Sequence, residues 1–317
     1  MITIKEIPDE VQKSPIEFLE WLREPTIIKT SNDKSDIIIT CLVHGMEPSG
    51  YYALHRILNN IKKKEIKLNK TVSFIIVNPQ ASLKKPYFSH RTLDNQSDMN
   101  RIWFEKGINE EQNSSVEEIK KYIKKEQPEL LVDFHNTTAT NPPFAIMPND
   151  NKEALRIASN LVNDVLQIDW LGTLVKFSSI YCNSIVIECG KYNSEESHRI
   201  AYEYMKKIIL EDLEDKEVSF YNSSMIKIPE YVSFDLSYEN TGKDIVLLPS
   251  IEEYNFKELK PGTILGWENK KGAINSEFLE VENGIIRTSD KNFKFGMLTT
   301  NRGIIKGDVL GYAIVLK

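Results

Sequence analysis

Along roughly the first two thirds of the chain, short continuous apolar runs alternate with stretches in which apolar residues recur every three or four positions. The continuous runs are rich in β-branched residues and predict four buried strands, at 36–43, 71–77, 129–134 and 184–187. The stretches with helical spacing predict four helices, at 49–62, 116–125, 151–165 and 194–213. Strands that alternate with helices are typical of an α/β sheet covered by helices on both faces.

The pattern changes after residue 215. Beyond this point short β-prone segments are separated by Gly, Pro and Asn turns, at 232–236, 245–248, 263–267, 284–288 and 309–316. We therefore predict two domains, a larger α/β domain over residues 1–215 and a smaller, mostly β domain over residues 216–317.

Composition and charge narrow the classes of function. The chain has 317 residues, of which 41% are hydrophobic and 27% charged, as in globular proteins. Its longest apolar run, 37–43, is far shorter than the roughly 20 residues of a membrane-spanning helix, and no signal-peptide pattern opens the chain. Three cysteines without CxxC spacing fit a reducing compartment, and a net charge of −6 argues against nucleic acid or anionic membrane as partner. We expect a cytoplasmic protein that binds neither.

Polar side chains stand at the ends of three predicted strands, where open α/β sheets place their ligand sites. His44 and Glu47 follow the first strand, His135 follows the third, and Glu188 follows the fourth. Two histidines and one carboxylate are the ligand set of an open catalytic zinc site. A single HxxE is common by chance, and its alternative interpretation is a loop histidine beside a surface glutamate. The other strand-end motifs, DxH and ExG, favour the metal site.

A second group of candidate residues lies between the second predicted strand and the second predicted helix. Arg91 and Arg101 are ten positions apart, and Asn100 stands beside the second arginine. A planar guanidinium can hold a carboxylate through two hydrogen bonds and can stabilise an oxyanion, which a lysine does less well. The alternative is an exposed polar loop, and composition does not decide between the two.

Five motifs occur in order between residues 36 and 205: HGMEPSG, VNPQA, SDMNRIW, DFHNTT and IECGK. Together they resemble the succinylglutamate desuccinylase/aspartoacylase family of zinc-dependent deacylases, which belongs to the wider zinc-carboxypeptidase group. The resemblance implies a zinc-carboxypeptidase-like mixed sheet flanked by helices as the catalytic domain. It also implies that the smaller C-terminal β domain narrows the entrance to the site.

The same resemblance assigns the metal and its surroundings. It implies one Zn²⁺ per chain, held by three ligands: His44, Glu47 and His135. Asp133 would support a ligand histidine through a hydrogen bond.

The resemblance also assigns the catalytic and substrate-binding residues. Glu188 would be the catalytic carboxylate, and Arg91 would polarise the scissile carbonyl. Asn100 and Arg101 would hold a carboxylate of a small-molecule substrate. Aspartoacylases carry a further arginine about ten positions before the catalytic glutamate, but here Ser178 stands near that position, with Lys176 close by. We therefore expect an N-acyl amino acid as the substrate, but not N-acetyl-aspartate as the preferred one.

Three other classes of protein compete with the deacylase. A zinc carboxypeptidase acting on short peptides would use the same residues, although a narrow entrance would exclude long chains. A non-catalytic binding protein on the same fold would usually have lost a ligand or the base, and none is lost here. A nucleotide-binding α/β protein would carry a GxGxxG or GxxxxGK[ST] loop after the first strand, and the sequence has none. Whether the chain forms a homo-oligomer stays open.

Overall fold

A computed structural model describes residues 2–211, 219–227, 244–268, 274, 276–298, 303–304 and 309–316. The chain divides into two compact units. The first contains Met1–Asn136 and Pro143–Ser219, and the second contains Thr137–Pro142 and Phe220–Lys317. The domain boundary predicted after residue 215 lies outside the described residues.

The first unit contains one mixed sheet with helices packed against it. Its strands are β1 (Thr3–Glu6), β2 (Thr26–Lys29), β3 (Ile37–Cys41), β4 (Val72–Ile76), β5 (Leu130–Thr137), β6 (Phe144–Met147), β7 (Asp164–Gln167) and β8 (Asn183–Lys191). Its helices are α1 (Pro15–Leu22), α2 (Ser49–Lys62), α3 (Pro79–Leu83), α4 (Glu110–Glu126), α5 (Lys152–Ser159), α6 (Leu174–Ser178) and α7 (Glu195–Leu210). The strand order is β1-β2-β4-β3-β5-β8-β6-β7. The predicted α/β class is confirmed.

The central strands of this sheet explain where the polar motifs meet. β3 pairs in parallel with both β4 and β5, and β8 is the next neighbour of β5. Every residue of β3, β4 and β5 is buried, which is why β3, β4 and the first three residues of β5 are almost continuously apolar in sequence. Because parallel strands point the same way, the carboxyl ends of β3 and β5 lie at one edge of the sheet.

Helix α2 begins beside the ends of β3 and β5. Its predicted bounds are confirmed, and its apolar face is buried, with Tyr51, Leu54 and Ile57 among the buried residues. Pro48 is the residue before the helix, and it offers no side-chain cap to the first turn. A Cβ added at Gly50 would lie 2.6 Å from the Cβ of Phe134, so the start of α2 is held tightly against β5.

The helix predicted at 151–165 is too long. Helix α5 ends at Ser159, and Asp164–Gln167 forms strand β7 instead. The Asn160 side chain donates to the carbonyl of Arg156, a bond that competes with continuation of the helix. Val165 then pairs with Ala145 of β6, a strand that the local apolar spacing did not reveal. Tertiary pairing therefore overrides the helical spacing here.

The second unit contains antiparallel β structure. Its strands are β9 (Ser219–Lys227), β10 (Ile245–Leu247), β11 (Ile264–Glu268), β12 (Leu279–Glu282), β13 (Ile285–Thr288), β14 (Lys294–Gly296), β15 (Gly303–Ile304) and β16 (Val309–Leu316). β16 pairs with β9 and β14, and the other five form a sheet in the order β12-β13-β11-β10-β15. The predicted mostly β character is confirmed, although the segment 232–236 lies outside the described residues.

An apolar cluster fills this second unit, with Leu265, Ile286 and Phe295 fully buried in it. Among the described residues of the whole chain, no helix is both long enough and apolar enough to cross a membrane.

Candidate active site

Three buried side chains from the sheet edge meet at one point. His44 and Glu47 lie in the segment between β3 and α2, and His135 is in β5; each is at most 5% exposed. Glu47 Oε1 lies 2.8 Å from His44 Nδ1, and Glu47 Oε2 lies 2.7 Å from His135 Nδ1. One potential ligand atom from each residue lies within 4.8 Å of the others. We call these three residues the triad.

The backbone after β3 is shaped to present the triad. Leu42 has a φ of 55°, a left-handed conformation that costs a bulky residue on the order of 1–3 kcal/mol. This conformation turns the chain out of the sheet just before His44. Gly45 then passes so close to α3 that an added Cβ would lie 2.6 Å from the backbone carbon of Ala81. A glycine is therefore required between the two triad residues of this segment.

The second nitrogen of each histidine is held by a carboxylate. His135 Nε2 lies 2.7 Å from Asp133 Oδ2, and His44 Nε2 lies 3.0 Å from Asp98 Oδ1. Thr40 donates to the other oxygen of Asp133 at 2.6 Å. Each Nδ1 atom faces Glu47, and each Nε2 atom faces Asp98 or Asp133. A metal held with Glu47 would therefore take Nδ1 of both rings, while each Nε2–H donates to its carboxylate.

The charges of the triad depend on each other. Burial by itself would raise the pKa of Glu47, but His44 and His135 hold that pKa well below its usual value. Burial would likewise lower the pKa of His135, but Asp133 and Glu47 raise it well above its usual value. A metal must bind deprotonated ligands, so its binding competes with protonation of His135.

Glu188 lies in β8 and interacts electrostatically with all three triad residues. It is 9% exposed, and its Oε2 atom is buried without a hydrogen-bond partner among the described residues. Burial raises the pKa of Glu188 to about 7, against an ordinary value of 4.5. The carboxyl group is thus poised to gain or lose a proton near neutral pH.

Arg91 is joined to the triad through carboxylates. Its Nε and Nη2 atoms donate to Asp98 Oδ2 at 3.1 and 3.0 Å, and Nη1 lies 3.5 Å from Glu47 Oε1. Asp98 therefore bridges Arg91 and His44. Burial would raise the pKa of Asp98, but its contacts with His44 and Arg91 hold it well below the usual value.

Asn100 and Arg101 lie in the short 3-10 helix that follows Asp98. The backbone N–H of Asn100 donates to Asp98 at 2.8 Å, and its buried side chain accepts a hydrogen bond from the N–H of Leu174. Arg101 is exposed, donates to the carbonyl of Asn100 and lies with its guanidinium carbon 5.6 Å from the ring centroid of Trp170. Asn100 therefore lies beside Asp98, the carboxylate that holds His44, and Arg101 lies at the surface.

Near the position where aspartoacylases carry the further arginine, this chain has Ser178 and Lys176 and no guanidinium. Ser178 is fully buried in α6, and its hydroxyl donates to the carbonyl of Val175. Lys176 forms an ion pair with Asp169 at 2.7 Å.

Two supporting residues have no role that the sequence predicts. Asp98 lies in the motif SDMNRIW, but its contact with His44 spans 54 positions and has no local signature. Asn136 follows His135 directly, and its N–H donates to Glu47 Oε2 at 3.2 Å. The only available signal was adjacency to a predicted ligand.

The donor set and its surroundings fit a metal ion. Two imidazole nitrogens and a carboxylate converge, both histidines are oriented by carboxylates, and the unpartnered oxygen of Glu188 lies in the same buried region. The described residues contain no other group of three or more His, Cys, Asp or Glu side chains with this convergence.

Solved structures of other proteins share the fold of this chain. The chain resembles the solved structure of a succinylglutamate desuccinylase/aspartoacylase from Rhodobacter sphaeroides, with 14% identity, 92% of this chain and 88% of that chain covered, and a TM-score of 0.64. A succinylglutamate desuccinylase from Vibrio parahaemolyticus gives 14% identity, 92% and 86% coverage, and a TM-score of 0.62. The product-bound structure of the ectoine utilization protein EutE from Ruegeria pomeroyi gives 15% identity, with 91% of this chain and 87% of that chain covered and a TM-score of 0.60.

No curated protein sequence matches the chain significantly. The sequence model of the succinylglutamate desuccinylase/aspartoacylase catalytic domain, in contrast, matches residues 33–192, about half of the chain. These residues include both histidines of the triad, Glu47 and Glu188. The chain therefore belongs to the succinylglutamate desuccinylase/aspartoacylase family.

Proposed function

We propose that this protein is a zinc-dependent hydrolase that cleaves the amide bond of an N-acyl amino acid carrying a free carboxylate. The observation that carries the proposal is the buried triad beside Glu188, whose Oε2 atom has no hydrogen-bond partner in the described part of the chain. Membership of the deacylase family favours a small N-acyl amino acid over a peptide as the substrate.

The triad would hold one Zn²⁺ through Nδ1 of His44, Nδ1 of His135 and the carboxylate of Glu47. Two histidines and one glutamate form a three-ligand set, which is the arrangement of catalytic rather than structural zinc. When bound, zinc supplies a Lewis acid that activates water and polarises a carbonyl. Asp98 and Asp133 fix the two imidazole rings, so little reorganisation is needed on binding.

Glu188 would transfer the proton. A base works best when its pKa lies near the operating pH, and burial brings the pKa of Glu188 to about 7. The unpartnered Oε2 atom can accept a proton from the attacking water. Glu188 then delivers this proton to the leaving nitrogen, which departs as an amine while the acyl group leaves as a carboxylate.

Arg91 would stabilise the oxyanion that forms when water attacks the carbonyl. Asp98 holds two nitrogens of its guanidinium, so the group is oriented before the substrate arrives. Asn100 and Arg101 would grip the substrate carboxylate, because Arg101 is exposed and a guanidinium can bind a carboxylate through two hydrogen bonds. Specificity would then depend on how far this clamp lies from the reacting carbonyl.

We also propose that the protein works in the cytoplasm. The three cysteines are free, and two of them, Cys41 and Cys189, are buried in β3 and β8. Free thiols fit a reducing compartment.

The metal assignment predicts that the purified protein holds about one zinc per chain. His44→Ala and His135→Ala each remove a ligand and should lose most of this zinc, as measured by elemental analysis after dialysis. His55→Ala is the matched control. His55 lies in helix α2 and is also a buried histidine, but its Nε2 atom bonds to the carbonyl of Lys13 and it is not part of the triad. Full zinc content in both triad variants would refute the assignment.

The base assignment predicts that Glu188→Gln keeps zinc but loses turnover. Glutamine preserves the shape and cannot accept the proton, so kcat for release of amine from N-acyl amino acids should fall by roughly 10²- to 10⁴-fold. The exposed Glu195→Gln in α7 serves as control and should keep both properties. Loss of zinc in Glu188→Gln would instead make Glu188 a ligand, and normal turnover would exclude it as the base.

The raised pKa of Glu188 also predicts a pH dependence of stability in the metal-free protein. Between pH 4.5 and 7 the folded protein keeps a proton that the unfolded chain has released, so stability falls as pH rises. The free energy of unfolding of the wild type, relative to Glu188→Gln, should therefore drop by roughly 3 kcal/mol across this window.

Urea unfolding of both proteins at a series of pH values measures this difference. Glu153→Gln provides a control of opposite sign, because the hydrogen bond from Arg156 lowers the pKa of Glu153. The wild type should gain stability relative to this control as pH rises through the acidic range. Parallel curves for the wild type and Glu188→Gln would mean that Glu188 is not desolvated.

The clamp assignment predicts that Arg101→Ala lowers kcat/KM by about 30-fold or more, since losing one partner of a charged hydrogen-bonded pair costs roughly 2 kcal/mol or more. An amidated substrate should lose as much with the wild type and little more with the variant, because both changes remove one contact. Arg199→Ala, an exposed arginine paired with Glu196, should change neither rate.

Equal cleavage of free-acid and amidated substrates by the wild type would reject the clamp. The same substrate series also tests the effect of Ser178, which stands near the position of the further arginine of aspartoacylases. N-acetyl-aspartate should not be the preferred substrate, and a clear preference for it would contradict our reading of this position.

A further inference from the structure

Asn136 is the residue after His135, and three of its groups form hydrogen bonds. Its side-chain Oδ1 accepts from the N–H of Ser49 at 3.1 Å, and its Nδ2 donates to the carbonyl of Gly190 at 3.0 Å. Its main-chain N–H donates to Glu47 Oε2 at 3.2 Å. The residue is 4% exposed, so these bonds are shielded from water.

The bond to Ser49 completes the start of α2. The first N–H groups of a helix have no partner within the helix, and a side chain usually supplies one. Pro48 cannot cap the helix, and the hydroxyl of Ser49 is bonded to His198 Nδ1 at 2.8 Å. The Asn136 side chain therefore provides from β5 a cap that the local sequence lacks. This ties β5 to the segment that carries Glu47.

The bond to Gly190 ties the same side chain to β8. Gly190 is two residues after Glu188 and has a φ of 99°, so the backbone bends just beyond the proposed base. The planar side-chain amide of Asn136 thus links the start of α2 to the end of β8. The spacing between these two elements sets the spacing between Glu47 and Glu188.

We propose that Asn136 is a positioning residue that fixes Glu47 and Glu188 relative to each other without touching the substrate. This inference rests on the proposed function, in which Glu47 binds zinc and Glu188 transfers the proton. The main-chain N–H of Asn136 restrains Glu47 directly. The side-chain amide restrains the backbone at Ser49 and at Gly190.

The chemistry of the side chain gives a selective variant. Asn136→Asp keeps the shape and the acceptor for Ser49, but at neutral pH it places an acceptor opposite the carbonyl of Gly190. It therefore breaks the link to β8 alone. Asn136→Ala breaks both side-chain links, and both variants keep the main-chain N–H that bonds to Glu47.

Asn113 is a matched control in α4. It is also a buried asparagine, at 8% exposure, whose side chain bridges two backbone groups: Oδ1 accepts from the N–H of Gly107 at 2.7 Å, and Nδ2 donates to the carbonyl of Gly107 at 2.9 Å. Asn113→Asp and Asn113→Ala therefore remove equivalent hydrogen bonds outside the site. They report what the loss of a buried amide does to stability alone.

The experiment compares all four variants with the wild type by three measurements. Zinc affinity is determined by competition with a chelator, kcat and KM are determined on the best N-acyl amino acid, and backbone amide exchange is followed in the metal-free protein. We expect Asn136→Ala to bind zinc about 10-fold more weakly or worse and to exchange faster at Ser49. We expect Asn136→Asp to lose about 10-fold or more in kcat with little change in KM or zinc affinity.

Both Asn113 variants should melt at lower temperature but keep wild-type zinc affinity, kcat and exchange at Ser49. If the Asn136 variants behave like the Asn113 variants, Asn136 is only structural and the inference is overturned. A wild type that binds no zinc and cleaves no amide overturns the proposed function and the positioning role with it. In that case faster exchange at Ser49 in Asn136→Ala would still establish the cap.

Discussion

The structure of the site depends on the burial of ionisable groups at one edge of a sheet. Taking a carboxylate out of water costs several kcal/mol unless hydrogen bonds and opposite charges compensate. Glu47 is compensated by two imidazoles and a backbone N–H, and Asp133 by His135 and Thr40. Glu188 keeps one oxygen without a partner among the described residues, and burial raises its pKa, whereas the two histidines hold the pKa of Glu47 below its usual value.

This imbalance separates the roles of two glutamates that look alike in sequence. A carboxylate held ionised between two histidines suits a cation, whereas a carboxylate with a pKa near neutrality suits proton transfer. The difference comes from neighbours rather than from residue type. Burial of Glu188 therefore costs desolvation free energy that an apolar residue at the same position would not cost. Such a loss of stability is common at functional sites.

Much of this organisation could be predicted because the informative residues stand next to recognisable strands. The buried strand β3, the helix α2 and the strand-end position of His135 all follow from local patterns. The link between Asp98 and His44 could not be predicted, because it joins a loop to a strand end 54 positions away. The helix predicted at 151–165 runs into the start of β7 for the same reason, since the pairing of β7 with β6 is a non-local contact.

The chain leaves the first unit directly after Asn136 and returns to it at Pro143. The six residues between them belong to the second unit, where the N–H of Thr140 donates to Glu252 and the carbonyl of Thr140 accepts from Asn255. The second unit is therefore built from two separate stretches of sequence. A fragment that ends at residue 219 would keep every residue of the triad but would strip this excursion of its partners, five residues from His135. A single cut in the gene therefore cannot separate the two units.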